Sequence, residues 1–262
     1  MPPEATKTET TQKPATCYSM KHEGSRGEIM IYDDIGGGFF GGITAREFAE
    51  DLKAMGDVSQ IDVRMNTQGG DAFEGIAIHS SLKNHPAHVN IDVDGLAGSV
   101  GSLILMAGDT RRIAGNAMVM LHEPMGSISG PIAVLEAKTE ALRKLRDIVG
   151  DAYASGTGKT KGEIMTMMAE ETWLTAAESL EHGFVDEVTG DMAVAAHVDA
   201  NKMGFGKVPE RFTAKAESPV TPVDDQPAKP KTPASAKEVA QRMAAHDAMV
   251  AKLENPTGGR PK

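Results

Sequence analysis

The run Gly95-Leu96-Ala97-Gly98-Ser99-Val100-Gly101 constrains this chain more than any other. Before it, Val89, Ile91 and Val93 alternate with polar residues over 88–94, which predicts a half-buried strand. After it, the apolar run Leu103 to Ala107 predicts a helix. A serine among small residues at a strand-to-helix turn can expose its hydroxyl beside a helix N-terminus. There, free N–H groups and the helix dipole favour developing negative charge. The pattern approaches G-x-S-x-G, with Ala97 standing where the first glycine would be.

The rest of the chain surrounds this turn with alternating strand and helix patterns. A strand is predicted at 28–32, followed by a glycine-rich turn at 33–42. Thr44 and Glu47 have the spacing of a capping box, opening a helix faced by Phe48, Leu52 and Met55. Residues 61–66 alternate as a strand, Thr67 to Asp71 form a turn, and 72–84 read as a helix. A short strand pair at 111–113 and 117–121 ends at His122-Glu123-Pro124. Pro131 then starts a long amphipathic helix to about 155, long enough to project and pack on a partner. Helices at 160–169 and 175–182 and strands at 184–188 and 192–198 complete the pattern. The prediction is an α/β fold with a mostly parallel sheet.

Domain boundaries follow from composition. Residues 1–24 read as a disordered N-terminal arm and 25–200 as the folded domain. Residues 201–234 read as a proline-rich linker and 255–262 as a disordered tail. Between them, 235–254 form an amphipathic helix with Val239, Met243, Val250 and Leu253 on one face, either a marginal tail helix or a docking helix. The net charge of −10, with no basic stripe, argues against nucleic acid as a partner. A single cysteine, Cys17, precludes an internal disulfide and fits a reducing compartment. No apolar run has the length of a membrane span and the N-terminus lacks a signal-peptide pattern, so a cytoplasmic protein with no membrane partner is expected.

A serine hydroxyl is a weak nucleophile and needs a neighbouring base, usually a histidine. Of eight histidines, His122 stands out, because it ends a strand whose residues Met118 to Leu121 read as buried. Thr67-Gln68-Gly69-Gly70 adds a feature an oxyanion hole requires, paired glycines whose backbone N–H groups can face an adjoining turn.

Taken in order, these motifs resemble the Clp protease family of serine peptidases over roughly residues 27–190. Asn66 to Gly70 is similar to the family's N-S-P-G-G turn, with Gln68 replacing its proline. Gly95 to Gly101 resembles its nucleophile turn, and Met120-Leu121-His122-Glu123-Pro124 its M-I-H-Q-P segment. Trp173-Leu174-Thr175-Ala176 and Glu181 to Asp186 resemble the region after its catalytic acid. The glycine-rich turn, the Glu-Thr-Trp-Leu-Thr segment and the polar C-terminal extension look most like the phage head-maturation branch.

The resemblance implies stacked βαββ units of the Clp protease and crotonase type, homo-oligomeric rings paired through the long helix, and no metal or cofactor. It makes Ser99 the nucleophile and His122 the general base, with an oxyanion hole from the N–H groups of Gly70 and Val100. The family's aspartate corresponds to Glu171, with Glu170 as its alternative; a Ser-His dyad is also possible. Ser102 is a competing nucleophile, although its place in the first helical turn suits capping or packing better.

The expected function is a serine endopeptidase that trims capsid or scaffold proteins during procapsid assembly, in the host cytoplasm or inside the procapsid. The alternatives are a cytosolic subunit working with an ATP-driven unfoldase, a crotonase-like acyl-CoA enzyme, and an inactive ring-forming scaffold.

Overall fold

The computed structural model of the chain describes residues 18–37, 42–193 and 198–213, all within the first of two compact units, Met1–Pro219. Residues 1–17, the centre of the strand expected at 192–198, and everything from 214 onward lie outside the described residues. The latter includes the expected helix 235–254 and tail 255–262.

The frame is an α/β sheet. Strands β2 (Arg26–Ile31), β3 (Gln60–Thr67), β4 (His88–Gly98), β5 (Thr110–Ala114) and β8 (Glu187–Thr189) run parallel in that order. Strand β1 (Tyr18–Glu23) adds antiparallel to β2. Strands β3 and β4 alternate as predicted. Ile61, Val63, Met65, Val89, Ile91 and Val93 bury one face against helices α1 (Ala45–Ala54), α2 (Ala72–Lys83) and α3 (Val100–Leu105). Phe48 and Leu52 of α1 and Ile78 and Leu82 of α2 supply the helical side of that core. The capping box expected for α1 is formed, with the Thr44 hydroxyl accepting from the Glu47 N–H and the Glu47 carboxylate accepting from the Thr44 N–H.

Strand β4 is longer than its apolar alternation suggested, and it changes partner along its length. Asn90 to Val93 pair with β5, whereas Leu96 to Gly98 pair with β6 (Met118–Leu121). Strands β5 and β6 are therefore not a hairpin pair, as their spacing suggested. Each pairs with a different half of β4, and β6 turns away to pair antiparallel with β7 (Thr172–Thr175). Strand β7 was not predicted; its order comes from pairing with β6.

Two assignments from composition are corrected. Residues 18–23 are not part of a disordered arm but the edge strand β1. The strand gains its order from main-chain pairing with β2 and a few side-chain contacts, such as Tyr18 on Phe48 and the Tyr18 hydroxyl on Asp51. Nor are residues 201–213 linker. With α7 (Ala200–Met203) and α8 (Glu210–Thr213), they return to the sheet. Val198, Met203, Phe205 and Phe212 bury against Leu96, Met118 and Met120, covering apolar surface that β4 and β6 would otherwise leave open.

The long helix α4 (Ile132–Thr157) is buried only from Leu145 onward, through Val149, Gly150 and Tyr153. Its first turns expose Ile132 and Val134, as expected of a projecting helix. Helices α5 (Lys161–Ala169) and α6 (Ala176–Glu181) follow, each opened by a threonine capping box.

The other face of the sheet is held by ion pairs between neighbouring strands. Arg64 of β3 grips Asp94 of β4 through two bonds of 2.7 and 2.6 Å, and the Tyr32 hydroxyl donates to the same carboxylate. Arg112 of β5 grips Asp92 at 2.6 and 2.8 Å. The Asp94 side chain is only 4% exposed, so removing its partner leaves a buried charge. Arg64→Ala should cost about 2 kcal/mol in urea unfolding. That lies below the ~3–5 kcal/mol of a fully buried pair, because Arg64 is half exposed and Tyr32 still donates. Unchanged stability would mean that water replaces the guanidinium at no cost.

Candidate active site

The partner change in β4 delivers Ser99 to His122. Beyond Gly98 the ladder with β6 gains one more bond, from the Ser99 N–H to the Met120 carbonyl at 2.9 Å. Ser99 is thus fixed beside the strand that ends at His122. The Ser99 Oγ lies 2.7 Å from the His122 Nε2, within hydrogen-bond reach of a base.

Ser99 holds a backbone conformation of φ 50° and ψ −124°, which a residue with a Cβ rarely adopts. It is the N-cap of α3, yet its hydroxyl caps nothing. The side chain is thereby free to point at the imidazole. Val100, as the first residue of α3, has an N–H with no partner inside the helix.

The turn after β3 packs directly on this serine. A Cβ at Gly69, whose φ is +101°, would sit 2.7 Å from both the Gly98 carbonyl oxygen and the Ser99 Cβ. Only a glycine permits that approach. Ile35 forms a parallel bridge with Gly70. Its N–H donates to the Gly69 carbonyl, and its carbonyl accepts from the Asp71 N–H, both at 2.8 Å. In such a bridge the central residue's own N–H faces the opposite edge. For Gly70 that is the edge where Thr67 pairs with Ala97 and β4 continues to Ser99. The N–H groups of Gly70 and Val100 therefore belong to the two turns that flank the Ser99 hydroxyl.

Ser102 is not a second nucleophile. It is fully buried, and its hydroxyl lies 2.7 Å from the Ser99 carbonyl, 2.8 Å from that of Met120 and 2.8 Å from the Tyr153 hydroxyl. Tyr153 also reaches the Ser99 carbonyl at 3.3 Å. Together they pin the strained residue from behind. The sequence carried no sign that Tyr153 of α4 would reach this turn, because the contact spans 51 residues.

His122 is largely buried, and desolvation moves its pKa below the ordinary histidine value. The charge of Glu171, a backbone group of Glu123 and the Glu123 charge pull it upward and only partly offset burial. Glu171 is placed by register. Leu121 pairs with Thr172, so the antiparallel ladder continued by one residue puts Glu171 across from His122. Among the described residues, the only non-glycine positions with positive φ are Ser99 and Glu171. Burial raises the Glu171 carboxyl, but N–H donors from Gly206, Lys207 and Trp173, with the charge of His122, outweigh it and hold the pKa below the ordinary carboxylate range. Those three donors occupy the carboxylate, and among the described residues no hydrogen bond joins it to His122. Glu170 is exposed at the C-cap of α5, off this register.

With that geometry in place, the model of the family described as Clp protease matches residues 27–192. The chain belongs to the Clp protease family. This is a family of serine-type peptidases, as the motifs around Ser99 and His122 led one to expect. An ATP-dependent Clp protease proteolytic subunit of Deinococcus radiodurans is 29% identical over 139 residues, 52% of this chain and 68% of that protein. A protein of the same description from Liriodendron tulipifera is 34% identical over 149 residues, 54% of this chain and 74% of its own. In structure, the chain resembles a mutant of ClpP1 from Listeria monocytogenes with a TM-score of 0.55 and 23% identity, over 63% of this chain and 91% of that one. That likeness shows the Clp protease fold. Among the described residues, no helix is long and apolar enough to cross a membrane.

Two substitutions test the turn. Gly69→Ala should displace Ser99 and lower its reaction with a fluorophosphonate by about a hundredfold, the scale expected for roughly 1 Å of misplacement. Ser102→Ala should cost about 1–3 kcal/mol in thermal or urea unfolding, because it strips a buried tyrosine hydroxyl of its nearest partner. The label should nonetheless stay on Ser99; label that maps to Ser102 in the wild-type chain and vanishes in Ser102→Ala would reinstate Ser102 as a nucleophile.

Proposed function

We propose that this chain is a serine endopeptidase in which Ser99 attacks the peptide carbonyl and His122 is the base. The observation that carries this reading is the 2.7 Å approach of the Ser99 Oγ to the His122 Nε2, made from a strained turn that serves no capping purpose. In the proposed reaction, the Ser99 proton passes to Nε2 as Oγ bonds to the carbonyl carbon. The N–H groups of Gly70 and Val100 stabilise the resulting oxyanion. Collapse breaks the C–N bond, and the protonated Nε2 returns the proton to the leaving amine. Water then attacks the acyl-enzyme, with His122 again as base, and frees Ser99. Glu171, across from His122 in register, is the acid that would orient the imidazole and stabilise its cation once its carboxylate bonds to it.

The substrates are polypeptides, and the working form is a homo-oligomeric ring. The family membership and the exposed first half of α4, with Ile132 and Val134 on its surface, support assembly. The relatives named above are described as ATP-dependent, which supports work with an ATP-driven unfoldase. The narrower reading, a phage head-maturation enzyme cleaving capsid or scaffold proteins, rests on the glycine-rich turn, the Glu171 to Thr175 segment and the polar extension. Stimulation of proteolysis by an unfoldase with ATP would decide against it; cleavage of folded-shell precursors without ATP would decide for it.

A fluorophosphonate probe followed by peptide mapping should label Ser99, and Ser99→Ala and His122→Ala should abolish or nearly abolish the label. Persistent labelling of another serine would overturn the assignment. Because a neutral imidazole is required and burial depresses the His122 pKa, the labelling rate should fall on acidification with a midpoint below the ordinary histidine value of 6.5. A midpoint above 6.5 would contradict the burial argument.

A further inference from the structure

We propose that residues 198–213 form an intramolecular strap that holds this site in a low-activity state by keeping the Glu171 carboxylate off His122. The inference rests on the peptidase reading above and concerns how that site is regulated.

The strap touches the site at each of its parts. At its start, the Asp199 N–H donates to the Gln68 side-chain oxygen at 2.9 Å, and Lys202 pairs with Asp34, which itself accepts from the Gln68 amide. Gln68 immediately precedes the glycine pair beside Ser99. At its centre, Phe205 meets the His122 ring edge-on at 5.1 Å and the Trp173 ring at 6.1 Å. The next two residues take the acid. The Gly206 N–H donates to one Glu171 oxygen and the Lys207 N–H to the other, each at 2.7 Å. The Lys207 ammonium also donates to the Glu170 carbonyl. At its end, Phe212 stacks on Trp173 at 5.8 Å.

In a working triad the carboxylate accepts from the imidazole N–H opposite the serine. Here two strap N–H groups, with the Trp173 Nε1–H of β7 at 3.2 Å, take that carboxylate, and Phe205 packs edge-on against the imidazole. Glu171 also retains its unfavourable φ of 51°, a conformation that persists only while surrounding contacts fix it. Freeing the strap removes its two 2.7 Å donors and leaves only the longer Trp173 bond, so the carboxylate can turn toward the residue it already faces across the strand pair.

The test compares second-order rates of fluorophosphonate labelling at Ser99 in the full chain. Phe205→Ala removes the ring from His122, and Lys207→Pro removes one N–H donor from Glu171. Both should label at least tenfold faster than wild type, and adding Glu171→Ala to either should abolish the gain. A third form guards against misfolding. A site for a sequence-specific protease is inserted after the exposed Gly190, and the chain is folded intact and then cut. Cutting should raise the rate. A merely structural strap predicts the opposite, since damaging it would slow labelling. Ser99 labelled at equal or lower rates in all released forms would overturn the strap and leave the peptidase reading standing. No label on Ser99 in any form would overturn both.

Discussion

The site depends on one strand changing neighbours halfway along its length. Strand β4 spends its first half beside β5 and its second half beside β6, so β5 and β6 part where β4 passes from Val93 to Leu96. The last bond of the second ladder, from Ser99 to the Met120 carbonyl, fixes the serine beside the residue two positions before His122. Had β5 and β6 formed a simple hairpin, Ser99 and His122 would have no common edge. The 23 residues that separate them in sequence are bridged by three strand pairs, Leu96 to Gly98 with Met118 to Met120.

This junction carries strain, and the surrounding packing sustains it. The positive φ of Ser99 is held from one side by the Gly69 approach and from the other by Ser102 and Tyr153, with their hydroxyls on its carbonyl. Backbone strain of order 1–3 kcal/mol is tolerable when several independent contacts fix the same residue. Burial then does chemical work as well. It keeps His122 neutral to lower pH than a free imidazole, the form a base requires, while the donors around Glu171 keep that carboxylate ionised.

Much of the site was legible because its chemistry uses local patterns. Alternation announced β3 and the first half of β4, the capping box announced α1, and Gly-Gly announced a turn that a side chain would block. Other parts were silent for physical reasons. The extension of β4 through Gly95 to Gly98 has no polar alternation, because both faces there are buried. Strand β1 owes its order largely to main-chain bonds, which leave little trace in the identity of side chains. Residues 201–213 read as the start of a proline-rich linker, yet Met203, Phe205 and Phe212 fill a surface that exists only once β4 and β6 are paired.

By itself, the sequence determined the α/β class and the strand-to-helix turn at Ser99, and it singled out His122 as the candidate base. Each follows from periodicity or from residues whose chemistry is expressed within a few positions. The tertiary structure alone decided that Ser102 is a buried support, that Glu171 faces His122 while bonded to Gly206 and Lys207, and that the chain after 198 covers the site. Those outcomes depend on contacts spanning 18 to 131 residues, such as Ser102 with Met120 and Asp199 with Gln68. No local preference encodes them, because each partner gains its meaning only when the sheet brings the other to it.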